Sequence, residues 1–185
     1  MKYLYPCKPN PLSPESRYFG LLDNDVRWIA EVKKNGWRCL VEKSAGKVVL
    51  WTRHGTQIPE PVPELRESLR GLPDDTVLDG EFVHYRTRTV KGALYLFDIL
   101  SLEGEPLVNL PLSERRKALE SVLSGIHTVE LARQVRVGKK MLYSESIEGD
   151  ENEGIVLKRL DSRYPASETR CLQNPFWLKV KKPNQ

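Results

Sequence analysis

The chain has 185 residues, 39% hydrophobic and 29% charged, which supports one globular domain with a real core and is too short for two full ones. No apolar run approaches the ~20 residues that cross a bilayer, and the N-terminus carries no apolar stretch long enough for a secretion signal. A net charge of +4 permits nucleic-acid binding without demonstrating it, and three scattered cysteines, Cys7, Cys39 and Cys171, argue against a disulfide framework or zinc site and for a reducing, cytoplasmic or nuclear setting.

In chain order, residues 1–25 contain Pro6, Pro9, Pro11 and Pro14 and read as an irregular arm of the same domain. Strand-like stretches rich in Val, Ile, Leu and aromatics follow at 26–33, 37–43 and 47–53. Val62, Leu65, Leu69 and Leu72 then fall on one face of a helix, with Gly71 as a stop. Two more strands are predicted at 76–85 and 93–100. Ser113 to Gly125 reads as a second helix, with Ser113 as N-cap, Ala118, Leu119, Val122 and Leu123 as its buried stripe, and Gly125 closing it. The pattern predicts a helix over 133–150 and strands at 154–159 and 176–182. Short strands joined by hairpins, with few helices, give an α+β class: antiparallel sheets flanked by helices. There is no internal repeat, low-complexity segment or clear linker.

The glycine-rich phosphate loops GxxxxGK[ST] and GxGxxG are absent, so a nucleotide site here has to be built from charged side chains projecting off strands. Period-2 alternation picks those side chains out. Val26, Trp28, Ala30 and Val32 share one face of their strand, and Glu31 and Lys33 the other. Asp79 and Glu81 point together, as do Lys179 and Lys181, while Leu178 and Val180 turn to the core. Charge on one face is also the ordinary pattern of a half-buried antiparallel strand. Spacing alone therefore leaves both solvated faces and a shared site open.

The residues themselves go further. EVKKNGWR at 31–38 resembles the KxDG signature of the covalent nucleotidyltransferases, which are the ATP-dependent DNA ligases, RNA ligases and mRNA capping enzymes. TRHG at 52–55 is similar to their SRNG turn, LDGEF at 78–82 to the DGE strand, and YLFDIL at 95–100 to the segment with the base-stacking aromatic. EGIVLK at 153–158 and WLKVK at 177–181 resemble the two closing signatures. The elements stand in the family's order, and the whole looks most like the DNA ligases.

That resemblance implies a DNA ligase-type, ATP-grasp-like nucleotidyltransferase domain over 26–185, with ATP as substrate and Mg²⁺ or Mn²⁺ as metal. Lys33 is implied as the nucleophile that takes AMP from ATP. A lysine attacks only as the free amine, a form that cationic neighbours favour. Lys179 and Lys181 are implied to neutralise charge on the α-phosphate, and Arg38 and Arg53 to hold phosphate or ribose oxygens. Glu31 is expected beside the adenine amine, Phe97 on the adenine face and Glu81 on the ribose. Glu153 and Glu81 are the expected metal ligands. Lys34 and Lys158 fit the signatures but read equally as solvated. Trp37 and Trp177 border the site, and His54, His84 and His127 show no ligand spacing. The implied partner is nicked or broken DNA, with RNA as the alternative, and no membrane. A nucleotide-binding module without turnover is a further alternative.

Two features depart from the family pattern. The aspartate after the nucleophile is Asn35, and no OB-fold domain follows Lys181, which stands four residues from Gln185. The expectation is either an excised catalytic domain or a stand-alone minimal protein, with slow self-adenylation and weak nick binding by this chain alone and a separate protein as one source of the OB-fold function.

Overall fold

The computed structural model describes residues 3–58, 63–83, 92–148 and 151–183. In chain order the elements are β1 (Lys8–Pro11), α1 (Arg17–Leu22), β2 (Trp28–Lys34), β3 (Trp37–Ser44), β4 (Lys47–Thr52), α2 (Pro63–Leu69), β5 (Thr76–Val83), β6 (Ala93–Leu102) and β7 (Glu105–Pro106). They continue with α3 (Leu112–Val122), β8 (Glu130–Leu131), β9 (Gln134–Val135), α4 (Lys139–Ile147), β10 (Asn152–Arg159) and β11 (Gln173–Lys181).

Among the described residues the strands form two sheets. The first runs β1-β11-β10-β2-β9, and the second runs β4-β3-β5-β6-β7 with β8 beside β6. Pairing is antiparallel except at β1–β11 and β6–β8. Helices α1 and α4 cover the outer face of the first sheet, where Phe19, Leu22, Leu142 and Tyr143 pack on Ala30, Ile155, Leu157, Leu178 and Val180. Helices α2 and α3 cover the outer face of the second, where Leu65, Leu69 and Leu119 pack on Cys39, Val41, Leu78, Phe82 and Leu94. The inner faces meet over Cys7, Ile29, Leu40, Val77, Leu100, Tyr164 and Trp177. Each strand thus spends one face on a helix layer. The residues of opposite parity, including Glu31, Lys33, Arg38, Glu81, Lys179 and Lys181, face the space between the sheets.

Two glycines make this geometry possible. The β2–β3 turn carries the chain from the first sheet to the second, and a Cβ on its Gly36 would lie 2.6 Å from the Phe82 carbonyl oxygen. Gly154 sits at φ +128° at an irregularity in the β10–β2 pairing, where a Cβ would lie 2.1 Å from the Val180 oxygen. Only glycine fits either place.

Several expectations are corrected. The N-terminal arm is not irregular: it contributes β1 to the sheet edge and α1 to the core, with Cys7, Phe19 and Leu22 buried. The prolines of β1 are tolerated because the strand is an edge strand. Val26 precedes β2 and is exposed. Helix α3 starts one residue earlier than expected, with Pro111 at the N-cap and no side-chain cap, so Ser113 is not the cap. The stretch 133–150 is not one helix; it begins with β9, and α4 starts only after Gly138 in a left-handed turn. Val62 and residues 84–85 lie outside the described residues; Leu65 and Leu69 are buried on α2 as the helical pattern requires, whereas Leu72 is buried beyond the helix end at Leu69 and is not part of its face. No helix among the described residues is long and apolar enough to cross a membrane.

Candidate active site

The cleft between the sheets has two compartments that share Lys33. One is a cavity of about 330 Å³ lined by Glu31, Val32, Phe97, Val156, Lys158 and Trp177, with Tyr95, Lys34 and the segment 130–133 around it. The other is an open basin of about 520 Å³ whose charged lining is Lys8, Lys33, Arg38, Arg53, Lys179 and Lys181 against Glu81 and Glu153. Arg38 and Glu81 also border both compartments.

The cavity end is aromatic and tightly tied. Register is irregular at its main surface: Gly80 pairs with Leu96 and Asp79 with Asp98, so Phe97 is the extra residue of a β-bulge. Tyr95 and Phe97, two residues apart, both line the cavity, as alternation requires; the bulge shifts the parity of the residues that follow, so that Ile99 joins Leu94 and Leu96 on the helix side and Leu100 turns inward. Lys158 Nζ lies 4.3 Å from the centroid of the Phe97 ring and 4.1 Å from that of the buried Trp177. It also pairs with Glu31 at 2.6 Å, both side chains being almost fully buried. Gln134 Nε2 donates to the other Glu31 oxygen at 3.1 Å, and Arg116 Nη1 lies 3.6 Å from it.

The basin end is centred on Glu153. Its Oε2 is 2.8 Å from Lys33 Nζ and 2.8 Å from Lys181 Nζ. Burial acts to raise the Glu153 pKa, but hydrogen bonds from Lys181 and Lys33 outweigh it and hold the carboxyl below its ordinary value. Glu81 behaves oppositely: burial raises its pKa against the pull of Lys33 and Arg38, although the Gly36 N–H donates to it at 3.1 Å. Lys179 lines the same basin. Arg53 lies on the turn after β4, exposed, with Nε donating to His54 Nε2 at 2.9 Å.

Beneath both ends lies a buried charge network. Arg38 forks onto Asp79, with Nε at 2.6 Å and Nη2 at 2.5 Å, and its guanidinium stacks 4.6 Å from the Phe97 centroid. Two donors of this expected phosphate-holding residue are therefore committed to Asp79. The Tyr164 hydroxyl donates to the same carboxylate at 2.6 Å and accepts from the Cys7 N–H at 3.1 Å. Arg115 and Asp98 form a fully buried pair at 2.7 Å, and Arg115 Nη1 satisfies the carbonyls of Leu110 and Ser162. Buried charges persist only when paired and hydrogen-bonded in this way.

All the site residues singled out from the sequence lie along this one cleft: Glu31 and Phe97 in the cavity, Arg53, Glu153, Lys179 and Lys181 in the basin, and Lys33, Arg38 and Glu81 at the junction. Lys158, which from the sequence fits a signature but reads equally as solvated, is buried in the cavity wall, and Trp177 borders the cavity beside it. In the sequence Asp79 only shares a strand face with Glu81, and Arg116 and Gln134 have no signal of their own, because each meets Glu31 only across the fold.

For a metal, no group of three or more His, Cys, Asp or Glu side chains occurs among the described residues. Two carboxylates, Glu81 and Glu153, face the basin. That set fits a divalent ion that keeps most of its water and takes phosphate oxygens, for which one or two carboxylates suffice.

Residues 84–181 match a family model described as the ATP dependent DNA ligase domain. A DNA ligase of Thermococcus fumicolans is 29% identical over 82% of this chain, which spans 32% of that protein's length. Among solved structures, the ligase domain of DNA ligase D from M. tuberculosis is 28% identical, with TM-score 0.70, covering 94% of this chain and 59% of that one. A mycobacterial DNA ligase D solved in complex with ATP is 29% identical, with TM-score 0.67, over 85% of this chain and 55% of that one.

Proposed function

This chain belongs to the ATP-dependent DNA ligase domain family, and from that premise we propose that it adenylates itself at Lys33 and delivers the AMP to the 5′-phosphate of nicked DNA. The observation that supports this reading is that Lys33 lines both compartments, an aromatic cavity suited to a base and a cationic basin suited to phosphates. Residues 26–185, with the N-terminal arm packed into them, make up the nucleotidyltransferase domain of this reading.

The adenine lies on Phe97 with Glu31 beside its amine, and Glu81 meets the ribose. Lys33 Nζ lies 2.8 Å from a Glu153 carboxylate oxygen, and it attacks as the free amine once its proton has passed to water. Its nitrogen then bonds to the α-phosphorus as the bond to the pyrophosphate oxygen breaks. Lys179 and Lys181 offset the growing charge on the phosphorus oxygens, with Arg53 on the outer phosphates. When bound, Mg²⁺ or Mn²⁺ supplies charge neutralisation at the phosphates, and Glu153 and Glu81 are the residues that would hold it. The 5′-phosphate of the nick next takes the AMP from Lys33, and the 3′-hydroxyl displaces AMP to join the strand.

Incubation with Mg²⁺ and α-labelled ATP or GTP tests the first step. Acid-stable label on the protein from ATP alone, absent in Lys33→Ala, is the expected result. Nucleotide binding without label would replace this reading with that of a binding module. Pre-adenylated nicked DNA and RNA duplexes test the last step, with faster joining of DNA expected; faster joining of RNA would move the assignment to an RNA ligase.

A further inference from the structure

The base end of the cavity is closed by the segment from β8 to β9, which bridges the two sheets. Glu130 and Leu131 pair with β6 of the second sheet, and Gln134 and Val135 pair with β2 of the first. A charged side chain from outside the cleft lining also reaches this bridge. Arg116 projects from α3, with 11% of its side chain exposed. Its Nη2 donates to the Ala132 carbonyl at 2.8 Å, its Nε holds Glu120 at 2.9 Å, and its Nη1 lies 3.6 Å from the Glu31 carboxylate. That Nη1 is buried, and its 3.6 Å approach to Glu31 is an ion-pair distance, too long for a hydrogen bond. Buried charges persist by pairing, so Arg116 and the Glu31 carboxylate depend on one another.

We propose that Arg116 is a positioning residue for nucleobase recognition, acting through Glu31 and the Ala132 carbonyl and not by contact with the nucleotide. The assignment rests on the reading of Glu31 as the residue beside the base amine. Lys158 and Gln134 hold Glu31 from the first sheet, and Arg116 holds it from the helix layer behind the second. With three elements fixing one carboxylate, its angle to an exocyclic amine is set before any ligand arrives. The planar guanidinium is needed because one head bonds the Ala132 carbonyl through Nη2 while turning Nη1 toward the Glu31 carboxylate as an ion-pair partner; an ammonium is a compact point charge that does both less well.

The test compares ATP with purine riboside triphosphate, the analogue that lacks the 6-amino group. Equilibrium binding of each is measured by calorimetry for wild type, Arg116→Met and Arg116→Lys, alongside the rate of lysyl label formation and the melting temperature. Wild type is expected to prefer ATP. In Arg116→Met the affinity for ATP is expected to fall about tenfold, the equivalent of ~1.4 kcal/mol, with the analogue nearly unaffected. The ATP-to-analogue ratio then collapses toward one while label formation at saturating ATP stays within about twofold, the signature of lost ground-state binding. Arg116→Lys is expected to recover part of the ratio, and it carries the test if the methionine variant does not fold.

An unchanged ratio in a folded variant overturns the proposal. So does an equal loss for both nucleotides that tracks a fallen melting temperature, since a purely structural role predicts that. If wild type binds ATP selectively but forms no label, the adenylation reading fails while the binding ratio still decides the role of Arg116. If wild type binds neither nucleotide, both fail.

Discussion

The two ends of the cleft are made by the same two sheets, yet they hold their charges in different ways. At the cavity end, Glu31 and Lys158 are paired with 4% and 2% of their side chains exposed, and aromatic rings and a second arginine surround them. At the basin end, Lys33, Glu153 and Lys181 share one carboxylate oxygen with 22%, 26% and 51% exposed. Buried groups with several partners keep one geometry. Exposed lysines on flexible stems exchange partners at little cost. A base has to be read in a fixed orientation, whereas an attacking amine has to leave its carboxylate and cationic neighbours have to follow a changing phosphate. The contrast in burial therefore matches a division of labour between recognition and reaction.

The division can be broken most sharply at the basin. Lys181→Ala is expected to lower the rate of lysyl label formation at saturating ATP by about 10²–10³, as removal of one donor to developing transition-state charge does, with little change in the half-saturating ATP concentration. Rapid-quench measurement of adduct formation checks it; a change confined to half-saturation would place Lys181 with recognition instead. At the other end, Phe97→Ala is expected to raise the half-saturating ATP concentration about tenfold, from the loss of base–aromatic stacking, with the saturated rate nearly intact.

Salt sharpens the same line by a smaller amount. Raising ionic strength from about 0.05 to 0.5 M is expected to weaken ATP binding severalfold while adenosine binding hardly changes, because open charges are screened and a buried aromatic cavity is not. Parallel titrations with both ligands read this directly. The smallest effect expected is on stability. The folded-state pKa of Glu153 lies below its unfolded value, so its contribution is present above the unfolded pKa of 4.5 and is lost as pH falls through the lower folded value. Thermal melts of wild type and Glu153→Gln should therefore differ more at pH 7 than at pH 3. A gap that widens on acidification would contradict the assigned sign.

Much of this site was legible in the chain. Alternation alone puts Glu31 and Lys33 on one strand face and Lys179 and Lys181 on another, because successive side chains on a strand point to opposite sides whatever the tertiary setting. The need for glycine at positions 36 and 154 was not legible, because its cause, a carbonyl 2.6 Å or 2.1 Å from any added Cβ, belongs to neighbouring strands. The prolines of residues 6–14 concealed β1, since an edge strand paired to β11 tolerates them and its partner lies more than 160 residues away. The break in 133–150 was hidden for a similar reason: a two-residue strand such as β9 has no periodicity, and only its pairing to β2 defines it.

By itself, then, the sequence determined which residue types alternate toward a common side and, through ordered signatures, which reaction family they serve. The folded structure alone decided that these sides face one another, that two glycines are crowded by neighbouring carbonyls, and that Lys158 and Arg116 are wall and brace. The reason is physical: strand parity and turn chemistry are local properties of the backbone, whereas burial, ion pairing and register are settled between segments that only the fold brings together.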